Sequence, residues 1–269
     1  MFFGSAVAVA VPPGAAWPPA VAWSGAAVMW LVFLHLRLFD EHKDAEADRA
    51  AYPDRLLTRG VVTLPLLRNV AVGAILIQAG LSALIGPRAL VAWLAVVGFT
   101  LLMRVEFGIG RWLSARIVWY AVLHNPVVAL LAVYAWACTG AEWAAHFWPY
   151  VLTVSVASLA FEVGRKTRLP DEELAGVPSY TSVHGRPAVM WSLRALAVAT
   201  LAGSIATILA RAGLAAATTL PVAAGLGLSV LALVIALGLF SGERPAKKVE
   251  LGGTLLLLLS LLGMGVAAW

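Results

Sequence analysis

Three aspartates recur at four-residue spacing, Asp40, Asp44 and Asp48, inside the stretch RLFDEHKDAEADRAAYPDRLLTRG that runs from Arg37 to Gly60. On a helix, residues four apart are neighbours, so these carboxylates would line one face as a ladder. Their mutual repulsion is costly unless a cation sits among them. Carboxylate oxygens suit Mg2+, which is held by one or two carboxylates, several waters and the phosphates of a substrate. Arg55 and Arg59, again four apart, could clamp phosphate oxygens with their planar guanidinium forks. The stretch holds six of the chain's 14 acidic residues. The plainer alternative is a solvated helix end with compensating salt bridges.

A second polar cluster, FEVGRKTRLPDEE, runs from Phe161 to Glu173. Glu162 sits at the end of an apolar run, with Arg165, Lys166 and Arg168 close behind and Asp171, Glu172 and Glu173 beyond. By itself this is an ordinary charged loop beside a membrane helix. On the same side as the first cluster it becomes a candidate second half-site. Two carboxylate groups bracketing a diphosphate through metal ions would neutralise charge as it develops on a leaving pyrophosphate. A third polar region, from Arg104 to Asn125, places Glu106 and Arg111 in a loop and His124-Asn125 just before Pro126. Polar groups inside a membrane span suggest function, but a His-Asn-Pro sequence can equally satisfy backbone groups freed at a kink. The chain contains no G-x-S-x-G, H-E-x-x-H or Walker loop.

What must position these residues is a membrane bundle. The chain is 61% hydrophobic and 12% charged, about half the charge of a soluble domain at roughly 25%. A single cysteine, Cys138, excludes a disulfide framework and a cysteine zinc site. The basic residues are spread over several loops and form no block, which argues against nucleic acid as a partner. The lipid bilayer is the expected surrounding.

A helix crossing the bilayer core needs about 20 apolar residues. Runs of that kind lie at 17–39, 62–85, 88–105, 115–138, 143–163, 187–210, 217–240 and 251–269, bounded by Gly86-Pro87, Pro149, Pro170, Pro187, Pro221 and Pro245. The first 11 residues are apolar but too short to span and are followed by Pro12-Pro13, which suggests a partial or truncated first helix or an incomplete start. They carry no basic residue, against a secretory signal peptide. The expected fold is therefore all-α: a polytopic bundle of about nine transmembrane helices, the first one short. Of the 19 basic residues, 17 fall in loops on one side; Arg88 and Arg211 alone lie opposite. The positive-inside rule makes the crowded side cytoplasmic and the protein integral to the cytoplasmic (inner) membrane.

The residues from Asp40 to Asp48 resemble the first aspartate-rich motif of the UbiA superfamily of intramembrane prenyltransferases, commonly N-D-x-x-D-x-x-x-D. Asp40 stands where that pattern has Asn, Glu41 where it has the adjacent Asp, and Asp44 and Asp48 where it has the next two. Pro53-Asp54-Arg55 and Arg59-Gly60 resemble the family's P-x-R and following glycine. Glu162 falls where the second motif, D-x-x-x-D, begins, and Gly176, Tyr180 and Gly185 resemble its continuation. Lys166 departs from the pattern, since it stands where the second aspartate of that motif would be. The resemblance spans nearly the whole chain.

It implies one transmembrane prenyltransferase domain over residues 1–269, with nine helices around a central cavity capped on the cytoplasmic side by the two motif loops. It implies Mg2+-dependent transfer of an isoprenyl group from a prenyl diphosphate to a hydrophobic acceptor, which could be aromatic, quinone-type or a lipid. Asp40, Asp44 and Asp48 would bind one Mg2+; Glu162 with one of Asp171, Glu172 and Glu173, Asp171 foremost, would bind a second. Arg55, Arg59, Arg165, Lys166 and Tyr180 would hold the diphosphate. A terpene cyclase on the same scaffold would use the same ionisation chemistry. An ion-coupled transporter would need acids at mid-membrane, whereas nearly all of these lie at one face. Prenyl chain length, acceptor identity and oligomeric state are not encoded in these motifs.

Overall fold

The computed structural model describes every residue except 12–17, 47, 48, 50–52, 174–176 and 269. Among the described residues every element is helical, and eight helical spans, that of Ile117–Thr139 being interrupted at Asn125, are long and apolar enough to cross a membrane. The chain divides into two compact units, one of Trp17–Gly110 and one of Met1–Ala16 with Arg111–Trp269.

The 17–110 unit contains α2 (Pro19–Lys43), α3 (Leu64–Ile85) and α4 (Pro87–Arg104). Proline in the first turn opens each of them, where its missing N–H costs no helical bond. Leu38 and Phe39 of α2 pack on Ala71 of α3, with Leu34, Leu67 and Ile75 around them. Four buried polar side chains, His35, Gln78, Trp93 and Thr100, also join the three helices.

Helix α2 runs four residues beyond the expected end at Phe39. Arg37 pairs with Glu41, and His42 Nδ1 lies 2.8 Å from the Leu38 carbonyl. These one-turn contacts carry the helix to Lys43, with Asp44 as its C-cap. Asp40 and Glu41 are therefore helical residues and not part of a loop.

The other unit begins with the short α1 (Phe2–Ala10) and continues through α5 (Gly110–Ser114), α6 (Ile117–His124), α7 (Pro126–Thr139), α8 (Phe147–Arg165), α9 (Tyr180–His184), α10 (Arg186–Ala212), α11 (Leu220–Leu239) and α12 (Ala246–Ala267). Nine residues at 1.5 Å each give α1 about 14 Å, half a bilayer core. A helix that ends inside an apolar layer must still satisfy its terminal carbonyls. His146 Nε2 donates to the Val9 carbonyl at 2.9 Å, Arg211 donates to that of Val11, and Tyr150 shares a 2.8 Å hydrogen bond with Ser5.

The expected 115–138 span is interrupted, as Pro126 implies: α6 ends at His124 and α7 starts at Pro126. Asn125 Nδ2 donates to the Ser155 carbonyl of α8 at 3.0 Å, and His124 Nδ1 lies 2.7 Å from the Tyr120 carbonyl. This intramembrane pair thus serves backbone satisfaction at the break. Helices α11 and α12 meet at glycines: a Cβ added at Gly225 would lie 2.5 Å from the Gly263 carbonyl oxygen. Such close backbone approach is how helices associate where lipid supplies no hydrophobic driving force. Outward faces are apolar, with Leu84 at 84% and Leu220 at 82% exposure, as expected of an integral membrane protein.

Candidate active site

In the 17–110 unit, the acidic motif begins on the last turn of α2. Asp40 and Asp44 are both exposed, and the Asp44 N–H donates to the Asp40 carbonyl at 2.8 Å. The two carboxylates are thus one turn apart, as the four-residue spacing predicts. Asp48, the third of the series, lies outside the described residues. Lys43 Nζ stands 3.8 Å from Asp40 Oδ1 and 3.8 Å from Glu106 Oε1.

Arg55 is partly exposed and Arg59 exposed. The Arg59 N–H donates to the Arg55 carbonyl at 2.9 Å, which sets these two side chains one turn apart as well. Gly60 follows at φ 73°, a conformation that costs glycine little and other residues more.

Glu106 was not among the expected site residues. It and Phe107 are the two non-glycine residues with positive φ among those described, at 49° and 55°. Such backbone persists where the surroundings over-determine it. Here Gly110 leaves room for the Glu106 side chain, since a Cβ at 110 would lie 2.2 Å from Glu106 Oε2. The carboxylate is thereby aimed at Lys43. A lone Glu ahead of Gly108 and Gly110 is a weak signal, and only the backbone geometry gives it weight.

In the other unit, Glu162 lies on the last turn of α8. Arg165 donates to Glu162 Oε2 from Nη2 at 2.8 Å and from Nε at 3.1 Å. Lys166 Nζ lies 3.0 Å from Glu162 Oε1 and 5.0 Å from the centre of the Tyr120 ring. One carboxylate thus holds two cations in a single turn. The Tyr180 N–H donates to the Lys166 carbonyl at 3.0 Å, and its hydroxyl donates to the Ile117 carbonyl at 3.4 Å. Burial, and then the Glu162 charge, push the Tyr180 phenol above its ordinary value, so it acts as a neutral donor.

Tyr180 also lines a cavity of about 490 Å3, with Val118, Ala121, Leu159, Val163 and Val189 among its other walls. That size and lining are those of a small-molecule pocket. Tyr180 therefore touches both: it lines the cavity, and its backbone N–H bonds the Lys166 carbonyl in the basic cluster.

The three acids beyond Lys166 have different surroundings. Asp171 is exposed on a short 3-10 turn, Pro170–Glu172. Glu172 accepts from the Leu169 and Ala246 N–H groups, each at 2.9 Å, and those two bonds hold its carboxyl below the usual carboxylate range. Glu173 accepts from Ser179 at 2.5 Å and from Thr181 at 3.1 Å. Two of the three acids are thus engaged in fastening the loop. Gly176 lies outside the described residues, while Gly185 adopts φ 77° between α9 and α10.

Among the described residues no three of His, Cys, Asp and Glu converge as a ready-made metal cage. The exposed Asp40–Asp44 pair nevertheless fits a hard divalent cation that takes one or two carboxylates and completes its shell with water and phosphate. Glu162 fits less directly, because two cations already neutralise it.

Comparison with known proteins agrees with this architecture. The model of the UbiA prenyltransferase family matches residues 1–266. The fold is similar to that of the apo structure of a UbiA homolog from Aeropyrum pernix K1, at 20% identity and a TM-score of 0.68 over 99% of this chain and 95% of that one. It is also similar to a structure described in connection with digeranylgeranylglyceryl phosphate synthase in membranes, at 16% identity and a TM-score of 0.66 over 99% of this chain and 92% of that one. No curated protein matches the chain. With its family model covering all but the last three residues, the chain belongs to the UbiA prenyltransferase family.

Proposed function

We propose that this membrane prenyltransferase takes an isoprenyl group from a prenyl diphosphate and transfers it to a hydrophobic acceptor of aromatic, quinone or lipid type. The observation that carries the proposal is Tyr180, which lines the apolar cavity and bonds the Lys166 carbonyl through its N–H. That cavity, of about 490 Å3, and the basic cluster whose Lys166 carbonyl Tyr180 bonds suit a ligand with an apolar chain and an anionic head.

Asp40, Asp44 and Asp48 would hold Mg2+, with Glu162 and Asp171 as ligands for a second ion. Mg2+ at such carboxylates supplies charge neutralisation as the diphosphate leaves. Arg165 and Lys166 would bind phosphate oxygens beside the second motif, and Arg55 and Arg59 would do so beside the first. On the ligand's arrival, Arg165 and Lys166 exchange the Glu162 carboxylate for those oxygens, which leaves Glu162 available to a metal. Tyr180, expected from the motif to contact the diphosphate, instead spends its hydroxyl on the Ile117 carbonyl and lines the cavity, so it would act on the prenyl chain and not as a phosphate donor. The C–O bond to the diphosphate breaks toward an allylic cation, and pyrophosphate leaves with the bonding electrons. The acceptor attacks the cation and loses the proton from its attacking atom to the departing pyrophosphate. The crowding of basic residues on one side supports a cytoplasmic orientation for this chemistry, at the inner membrane.

The test is pyrophosphate release from a labelled prenyl diphosphate by the purified protein, with Mg2+, with chelator, and with or without an extracted lipid acceptor. Release that needs both metal and acceptor is expected. Cyclic hydrocarbon formed without acceptor would make the enzyme a cyclase, and no metal-dependent release would refute the assignment. Lipids that co-purify, identified by mass spectrometry, report chain length and acceptor class.

A further inference from the structure

We infer that the buried chain Trp93–Gln78–His35–Thr100 sets the rotation of α2 and so aims Asp40 and Asp44. The inference rests on the metal-binding role proposed above for those aspartates. His35, Gln78 and Thr100 are each 0% exposed and Trp93 is 6% exposed, and the reaction uses none of them. Polar groups at membrane depth are rare, and they face the bundle interior when present.

The bonds run in one direction. An indole N–H only donates, so Trp93 Nε1 gives its hydrogen to Gln78 Oε1, at 3.1 Å. That orients the Gln78 amide, whose Nε2 donates to His35 Nδ1 at 3.0 Å. His35 Nδ1 must then accept, so its hydrogen is on Nε2 and is donated to Thr100 Oγ1 at 3.0 Å. The Thr100 hydroxyl donates in turn to the Val97 carbonyl at 2.9 Å. Turning the amide or moving the imidazole hydrogen would set donor against donor and leave buried polar atoms unpaired.

This matters for α2 because the rest of its packing face is weakly specific. Val28, Met29, Val32 and Leu38 are apolar, and lipid is as apolar as they are, so hydrophobicity alone does not fix the helix's rotation. A directional polar chain does. His35 and Asp40 are five residues apart, about 7.5 Å along the axis and about 140° around it. At a side-chain radius of about 5 Å, a 20° turn of the helix would swing a carboxylate by about 2 Å. Misplacement by 1 Å can cost about 100-fold in rate. A second hold acts at the motif itself: the His35 ring lies 5.1 Å from that of Phe39, and the Arg104 guanidinium lies 4.9 Å over Phe39.

The test replaces the whole chain by apolar groups, His35→Leu, Gln78→Met, Trp93→Phe and Thr100→Val together, in the full-length protein in nanodiscs. Removing every partner leaves no orphan, so folding should be retained. Mn2+ affinity by electron paramagnetic resonance is expected to fall about tenfold and kcat by about 100-fold, with KM for the prenyl diphosphate moving far less. Wild-type Mn2+ affinity in that variant would overturn the inference. If the fourfold variant fails to fold, Thr100→Val against Thr100→Ser decides: the serine keeps the hydroxyl and should bind Mn2+ as wild type does, while the valine should not. Equal affinity in the two refutes the positioning role. Wild-type protein that binds Mn2+ but releases no pyrophosphate removes the proposed reaction and leaves the titration to judge this inference. Wild-type protein that binds no Mn2+ removes both.

Discussion

Lys166 Nζ lies 3.0 Å from Glu162 Oε1, one helical turn away. In the resemblance to the family's second motif, Lys166 stands where the other aspartate would be, so on that reading a cation occupies the place of a metal-seeking anion. An ammonium beside Glu162 supplies on the protein part of the positive charge that a metal would otherwise bring. Under the proposed function it would also meet a phosphate oxygen, and the Tyr120 face 5.0 Å away steadies it without consuming its donors.

Lys166→Asp tests that exchange. Restoring the carboxylate removes a phosphate contact and adds a repulsive neighbour to Glu162. The variant is expected to need about tenfold more Mg2+ for half-maximal rate and to show a raised KM for the prenyl diphosphate. The measurement is a Mg2+ titration of pyrophosphate release at fixed substrate. An unchanged Mg2+ requirement would show that Lys166 does not stand in for metal charge.

The first motif gives a sharper expectation. Asp44→Ala, at the exposed C-cap of α2, should lower kcat/KM at least about 100-fold, as loss of a charge-stabilising group does. It should leave the unfolding midpoint in detergent where it was, because no buried contact is removed. Glu142→Ala is the control, an exposed acid outside both motifs, and full activity is expected of it. Wild-type activity in Asp44→Ala would refute the metal assignment.

Much of this architecture could be read from the chain, and the exceptions share a cause. The spans follow from apolar run length and from prolines at helix starts. The one-turn pairs Asp40–Asp44 and Arg55–Arg59 follow from spacing alone. The His35–Gln78–Trp93–Thr100 chain left no such trace. Its members are single polar residues, His35 and Gln78 being 43 positions apart, and no periodicity links them. Glu172 looked like one of three equivalent acids until its bonds to Leu169 and Ala246 set it apart. The left-handed turn at Glu106 is invisible because nothing in the residue types demands it. What could not be read in each case is a long-range partner or a backbone angle, and both are fixed by tertiary packing.

Glycine contacts between α11 and α12 predict a graded response. A Cβ at Gly263 would lie 2.6 Å from the Gly225 carbonyl oxygen, whereas one at Gly227 meets nothing within 4 Å. Gly263→Ala should therefore cost about 1–3 kcal/mol by overpacking. Gly227→Ala, on the same pair of helices, should be neutral or slightly stabilising because alanine favours the helix. Thermal unfolding in detergent checks both, and equal midpoints for the two variants would show that the backbones separate without cost.

The loop that carries the second cluster should respond to acid through Glu172. Its carboxylate accepts from the Leu169 N–H at 2.9 Å and from the Ala246 N–H at 2.9 Å, tying the loop to the first residue of α12. These donors favour the charged form and hold the group below its ordinary value of 4.5. A carboxyl lowered in the folded state stabilises it fully above the unfolded value and loses that contribution as pH falls through the lowered one. Hydrogen-exchange protection at Leu169 and Ala246, corrected for the intrinsic rate, should thus hold steady above pH 4.5 and decline below it. Glu172→Gln, which cannot ionise, should show reduced protection at both amides and no decline over the same range. Its Mg2+ requirement should match that of the wild type, since Glu172 is engaged as an anchor; a raised requirement would move Glu172 from anchor to metal ligand.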